Sequence, residues 1–154
     1  MKKLILAFCL CLFTITAFGA SGLYNGAGAD LANATLDWDT DTLKVALLDS
    51  NHTFTGTDDT WANISANEVS ATGYTAGGAT LASCSITDAD PNVLDCADVT
   101  WTITGTLTAA HAAIYNTSDS DNLIVSYDFG GDSTTIDGDF EIKWHANGPI
   151  SVSD

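Results

Sequence analysis

The alternation of apolar and polar residues is the feature that most constrains the fold of this 154-residue chain. VTWTI (residues 99–103) and FEIKWH (140–145) place every second side chain on one apolar face. LIVSYDF (123–129) and LKVALL (43–48) follow the same period of two. This period is typical of strands that bury one face and expose the other to solvent. The pattern therefore predicts an all-β protein built from antiparallel strands.

Turn-forming clusters separate the predicted strands. Residues 23–34 are the main helical candidate, with one further turn near residues 61–65. Asp, Asn, Gly and Pro favour tight turns because of their backbone preferences and local hydrogen bonds. Further predicted strands are ATLASCSI, VLDCA, AHAAIYN and PISVS, and the predicted turns are DTDT, DADPN, NTSDSDN and GGDSTTIDGD (residues 130–139). About eight short strands with a short N-terminal helix predict a β-sandwich or jelly-roll-like fold.

The N-terminus is typical of a secretory signal peptide. A positive start, MKK, precedes the apolar stretch LILAFCLCLFTITAF, which is too short to predict a membrane span. Ala17 and Gly19 supply the small residues that predict cleavage after Gly19. We therefore expect residues 1–19 to be a signal peptide and residues 20–154 a single β-sandwich domain. The mature chain is expected to be exported to the extracellular space, the cell surface or the periplasm, with no membrane span.

The mature chain is strongly acidic. Lys44 and Lys143 are its only strong cations, because it has no arginine, and loss of Lys2 and Lys3 takes the formal net charge from −16 to −18. Binding of nucleic acid depends on Lys and Arg neutralising the phosphates, so a nucleic-acid partner is not expected. An acidic surface suits solubility, high salt or the binding of cations.

Cys84 and Cys96 are the two cysteines that remain after cleavage. An even pair in an oxidising compartment predicts a disulfide. The two residues flank SITDADPNVLD, whose middle predicts a turn, so the bridge would join two neighbouring strands. Because the enclosed loop is short, the expected stabilisation is about 2–3 kcal/mol.

The stretch NEVSATGYTAGGATL (residues 67–81) contains Gly73, Gly77 and Gly78. A phosphate-binding P-loop would need a lysine after the last glycine, and a dinucleotide site would need a βαβ unit. Neither is present in the sequence pattern. The glycines instead predict corners with positive φ and a close approach of the backbone to a neighbouring strand.

Three alternating aspartates, Asp37, Asp39 and Asp41, form the best candidate metal site. Alternate carboxylates can bind one hard cation such as calcium, the only cofactor that the sequence suggests. Thr42 and Leu48 stand where an EF-hand loop would need glycine and glutamate. The alternative is a hairpin turn before LKVALL in which the aspartates bond to their own backbone.

The sequence does not predict an enzyme, and we assign no catalytic residue. His52, His111 and His145 lie outside any G-x-S-x-G or H-E-x-x-H motif and are interpreted as surface or core residues.

Three aromatic residues are candidate partner contacts. Trp38 and Trp61 lie beside polar residues, as carbohydrate-binding platforms do, although core or interface positions are equally compatible. Tyr74 lies inside the glycine-rich stretch.

Six segments follow one another in a distinctive order: LDWDTDTLKVALLDS, NEVSATGYTAGGATLA, DCADVTW, AAIYN, LIVSYDFGGD and GDFEIKW. Their order and spacing resemble a family of small tailed-bacteriophage proteins encoded among virion structural genes, over about Leu23 to Ser153. The resemblance implies a compact β-rich virion component, of the head-decoration or head–tail accessory type, with no known catalytic residues. The signal peptide and the Cys84/Cys96 pair depart from that family, and an exported derivative would be a surface or filament subunit on the same sandwich.

These observations together predict a non-enzymatic structural protein that self-assembles or decorates a larger lattice. Its expected partners are copies of itself, as a homo-oligomer or lattice, or other virion or surface proteins. The alternative function is that of a secreted carbohydrate- or cell-surface-binding β-sandwich module.

Overall fold

The computed structural model describes residues 22–38, 40–87, 92–145 and 148–152, so the predicted signal peptide lies outside the described part. Within these ranges the chain forms eight strands and two short helices. The strands are β1 (Gly22–Leu23), β2 (Leu43–Leu48), β3 (Ala79–Thr80), β4 (Ser85–Thr87), β5 (Asn92–Asp95), β6 (Val99–Asn116), β7 (Asn122–Ile142) and β8 (Ile150–Val152), and the helices are α1 (Asn25–Ala32) and α2 (Trp61–Ile64). Neither of these two helices is long and apolar enough to cross a membrane.

The strands form two antiparallel sheets. The larger sheet has the order β1-β7-β6-β2-β3 and the smaller the order β4-β5-β8. The larger of two buried clusters joins the sheets, since it contains Leu94 and Cys96 from the region of the smaller sheet together with Val99 and Trp101 of β6. The predicted all-β, sandwich-like architecture with a short N-terminal helix is thereby confirmed.

A long hairpin, β6 followed by β7, dominates the larger sheet. The predicted strands VTWTI and AHAAIYN are the two ends of the 18-residue β6. LIVSYDF and the first half of FEIKWH (residues 140–142) belong to the 21-residue β7, which ends before the predicted end at His145. The turn predicted at residues 130–139 is wrong, because these residues lie within β7. Long-range pairing with the threonine-rich part of β6 overrides their local turn preference, and the positive φ angles of Gly130, Gly131 and Asp137 accommodate the irregularities in that pairing.

β2 has the predicted bounds, but both of its faces are buried. Val45 and Leu47 belong to the larger buried cluster, whereas Ala46 and Leu48 belong to a second cluster. Since successive side chains of a strand point to opposite faces, the second cluster lies on the other side of the sheet. A half-buried strand was expected here, so another part of the chain must cover the second face.

Residues 49–67, which we call the cover segment, lie over this second face. The Phe54 ring packs 5.0 Å from the ring of the buried Tyr24. The Trp61 ring stacks on Tyr115 of β6, with 4.9 Å between the ring centroids and 8° between the ring planes. The cover segment therefore adds a third layer at this end of the sandwich.

Candidate functional site

The glycine-rich residues 67–81 run along the outer edge of β2, and we call them the sealing segment. Within it, β3 pairs with Lys44 and Val45 in the middle of β2. Three backbone hydrogen bonds extend this pairing on either side of β3. Before β3, Asp49 N–H donates to the Asn67 carbonyl (2.9 Å) and Val69 N–H donates to the Leu47 carbonyl (3.1 Å). After β3, Leu81 N–H donates to the Leu43 carbonyl (2.9 Å). The outer edge of β2 is thus hydrogen-bonded from one end to the other.

Two glycines allow the sealing segment to approach its neighbours closely. Gly73 and Gly78 have φ angles of 97° and 72°. A Cβ atom on Gly73 would lie 2.0 Å from the Thr102 carbonyl oxygen, and one on Gly78 would lie 2.0 Å from that of Val45. The predicted positive-φ corners and close backbone approach are confirmed.

Tyr74 holds the sealing segment through its hydroxyl group. This hydroxyl donates to Glu68 Oε1 (2.9 Å) and accepts from Leu47 N–H (3.0 Å), while the same glutamate oxygen accepts from Gly77 N–H (2.6 Å). Burial raises the pKa of Tyr74 well above its usual range. Both hydrogen bonds of the hydroxyl are internal to the chain, so a partner at this position would meet the ring of Tyr74. Its role as a partner contact stays a prediction.

The two candidate tryptophans are both partly buried. Trp38 packs against the larger cluster, and Trp61 has one ring face against Tyr115. A carbohydrate-binding platform needs an open aromatic face with polar neighbours, and for Trp61 the ring face away from Tyr115 is the one concerned. The carbohydrate-binding hypothesis stays a prediction.

The acidic turn is tied to the end of β6. Asp41 Oδ2 accepts hydrogen bonds from Asp37 N–H (3.0 Å) and from the Asn116 side-chain amide (2.7 Å). Residues 34–38, the expected hairpin partner of β2, do not form a strand. Asp39 lies outside the described residues, among which no group of three or more His, Cys, Asp or Glu side chains is arranged to hold a metal ion. The calcium site stays a prediction.

β4 carries the predicted disulfide at its start. Cys84 and Cys96 are bonded, and the adjacent Ser85 pairs with Asp95 of β5, so the bridge joins two neighbouring strands as predicted. No strand among the described residues pairs with the other side of β4, which we call the open edge. All three residues of β4 are exposed, and Ile86 retains 44% of its accessible surface.

A polar cluster lies between the cover segment and the larger sheet. His52 of the cover segment and Ser126 of β7 are 3% and 0% exposed. His52 Nε2 lies 3.4 Å from Ser126 Oγ, and the His52 ring meets the edge of the His111 ring at a centroid distance of 5.1 Å. His111 Nδ1 lies 3.9 Å from Asp128 Oδ1. Because His52 and Ser126 are buried, this part of the cluster lies inside the contact between the cover segment and the sheet.

The charges around this cluster favour a neutral His52. Burial lowers its pKa, the neighbouring His111 lowers it further, and Asp58 and Asp49 oppose the shift. Burial also raises the pKa of Tyr24, which lies beside Ser126, to about 12. Sequence patterns did not reveal this cluster, because His52 stands in a polar stretch and only the folding of the cover segment brings it to β6.

No protein-family model, curated protein or solved structure matches this chain.

Proposed function

We propose that this protein is a non-enzymatic structural subunit that assembles with copies of itself through the open edge of β4. It would serve as a virion component or as an exported surface or filament subunit. The observation that carries the proposal is an uncharged, exposed edge strand with an exposed isoleucine, Ile86, at its centre. An unpaired strand edge offers backbone donors and acceptors to a strand of another chain, and a neighbouring apolar side chain adds buried area.

β4 lacks the features that usually protect an edge. Its residues, Ser85, Ile86 and Thr87, include no charge and no proline, and its pairing with β5 has no bulge. Charged residues, prolines and bulges are the common means of preventing association at an edge. The disulfide at the start of β4 keeps the strand in place, which lowers the entropy lost when a second strand pairs with it.

The outer edge of β7 makes a useful contrast. Beyond Ser126 it has no strand partner among the described residues, but residues 129–132 have no partners in β6 and interrupt the ladder. Asp128, Asp137 and Asp139 add negative charge to the same strand. A bulge and like charges disfavour pairing with a second acidic chain, so β4 is the better candidate for assembly.

The charge of the chain sets a condition on this assembly. With a formal net charge of −16 in the full sequence, two copies repel each other over the range of the Debye length. That length falls from about 10 Å at 0.1 M salt to about 3 Å at 1 M salt. Assembly through the uncharged β4 should therefore strengthen as salt is added.

The resemblance to small tailed-bacteriophage virion proteins also supports the proposal, since proteins of that kind work by assembling into a lattice. The export signal and the disulfide fit the exported form of the same role, because disulfides persist in oxidising compartments. The structural role is thus favoured by the resemblance and by the open edge independently.

Sedimentation velocity on the mature chain (residues 20–154), over a range of protein and salt concentrations, tests the proposal. We expect oligomers that grow with both concentrations, and electron microscopy should show filaments or shells. Ile86→Lys should weaken association at least about tenfold, because it places a charge in the paired edge. Ile136→Lys is the matched control, since Ile136 is 68% exposed, more than any other large apolar residue that the structure describes, and lies in the other sheet.

A monomer at every protein and salt concentration would overturn the proposal and favour the carbohydrate-binding alternative. Equal weakening by Ile86→Lys and Ile136→Lys would also contradict it, since the effect would then follow general surface charge and not the edge of β4.

A further inference from the structure

The cover segment contacts the second face of the larger sheet through two kinds of side chain. Phe54 and Trp61 pack their rings on Tyr24 and Tyr115. His52, in the same segment, inserts a titratable ring into a buried position. One face of the sheet is therefore closed by a contact that includes a group able to change its charge near neutral pH.

We propose that the His52–His111 contact makes attachment of the cover segment sensitive to acid. The two rings meet edge to face, with Ser126 Oγ 3.4 Å from His52 Nε2 and Asp128 Oδ1 3.9 Å from His111 Nδ1. In mildly acidic solution a proton on the buried His52 ring, whose centroid lies 5.1 Å from that of His111, would place a positive charge in a buried site, and the cover segment would be released from the sheet. This inference is independent of the open edge of β4.

The groups that face the pair give the two histidines different surroundings. On β7, the Asp128 carboxylate lies 3.9 Å from His111 Nδ1. On the same strand, the nearest group to His52 Nε2 is the neutral hydroxyl of Ser126. The Ser126 hydroxyl therefore supplies no opposite charge to a proton on the His52 ring.

The remaining charged groups do not remove this difference. Asp49 and Asp58 of the cover segment act on His52 in the direction that favours its protonation, but burial and the His111 ring act against it more strongly. From the N-terminal side, Tyr24 contributes a hydroxyl whose pKa burial raises to about 12, so it stays neutral throughout the acidic range.

The direction of the pH dependence follows from these surroundings. In the unfolded chain His52 titrates near its ordinary pKa of about 6.5. Because the folded chain lowers that pKa, the unfolded chain binds more protons as the pH falls below about 6.5. The contribution of His52 to the free energy of unfolding is therefore fully present above that pH and is lost below it. The unfolded-to-folded ratio then rises by up to about tenfold per pH unit for one proton.

Urea unfolding of the mature protein at pH 7.5 and pH 5.5 tests this inference. We expect the unfolded-to-folded ratio to rise between the two pH values several-fold more for the wild type than for His52→Gln. Glutamine keeps a polar group of similar length without the titration. His145→Gln is the matched control, because His145 is an exposed histidine that lies outside the contact, and it should keep the wild-type pH dependence.

Release of the cover segment has its own readout. Backbone amide exchange, corrected for the intrinsic effect of pH, should show residues 49–67 losing protection at pH 5.5 while the β6–β7 ladder keeps it. If His52→Gln does not fold, His111→Gln and an NMR titration of the His52 ring in the wild type replace it, and we expect that ring to stay neutral at pH 6.5.

Three results would overturn the inference. One is an equal pH dependence in the wild type and the histidine variants, and another is a His52 ring that gains its proton at or above pH 6.5. The third is loss of amide protection at pH 5.5 that is uniform over the whole chain.

Discussion

β2 and β4 each have an outer side that faces away from the centre of a sheet, but the two outer sides differ in their hydrogen bonding. The outer side of β2 is hydrogen-bonded along its length by the sealing segment. The outer side of β4 meets no strand among the described residues, and all three of its side chains are exposed. One edge is therefore closed within the chain, and the other is available to a second chain.

The difference lies in the sequence that accompanies each edge. The sealing segment depends on Gly73 and Gly78, which let a backbone lie where no side chain would fit. β4 is instead held by the Cys84–Cys96 disulfide, and no strand pairs with its outer side in the described part of the chain. Natural sheets usually protect their edges, and the unprotected edge of β4 is the observation on which the proposed assembly rests.

Replacing Gly78 with alanine should cause the largest loss of stability. The new Cβ would lie 2.0 Å from the Val45 carbonyl oxygen, and alanine would also be strained at a φ of 72°. We expect the free energy of unfolding to fall by at least about 3 kcal/mol in urea titrations. Gly105→Ala is the matched control, because Gly105 has a φ of 84° but open space around it, and it should cost only about 1–2 kcal/mol.

Equal losses for the two glycine variants would contradict this view of the sealed edge. The strain of a positive φ would then account for both effects, and the close approach of the sealing segment to β2 would contribute nothing measurable.

Removing the disulfide should have a smaller effect, on the other sheet. The double variant Cys84→Ser/Cys96→Ser is expected to lower the free energy of unfolding by about 2–3 kcal/mol, because the bridge closes a loop with a sequence separation of 12. Reduction of the wild type should reproduce this loss, and the double variant should not respond to reductant. A variant as stable as the oxidised wild type would mean that β4 is held by its pairing with β5 alone.

Much of the fold could be predicted from the sequence because strand periodicity is a local property. The bounds of β2 and the turn after β6 follow from residues close together in the chain. Residues 130–139 could not be predicted in the same way, since their glycines and aspartates have the local preferences of a turn. The strand conformation of residues 133–136, 138 and 139 depends on pairing with β6, a long-range effect that overrides those preferences.

The sites differ in the same way, because some have a local sequence signal and others form only when distant segments meet in the folded chain. The disulfide between Cys84 and Cys96 could be predicted, because the two cysteines flank a sequence typical of a turn, and β4 and β5 pair next to the bridge. The contact between His52 and His111 could not, because it joins a polar loop to the middle of a strand and has no local pattern. The burial of both faces of β2 could not be predicted from local sequence either, since the cover segment lies over the second face only in the folded chain.

The most direct test of the account is to measure amide hydrogen exchange at the three residues of β4 as a function of protein concentration. Pairing of the open edge in an assembly should protect outward-pointing amides of Ser85–Thr87 as the concentration rises, while the already bonded amides of the sealing segment stay unchanged. Ile86→Lys should abolish that added protection. Exchange at β4 that does not depend on concentration, in a sample that is visibly assembled, would contradict the central claim.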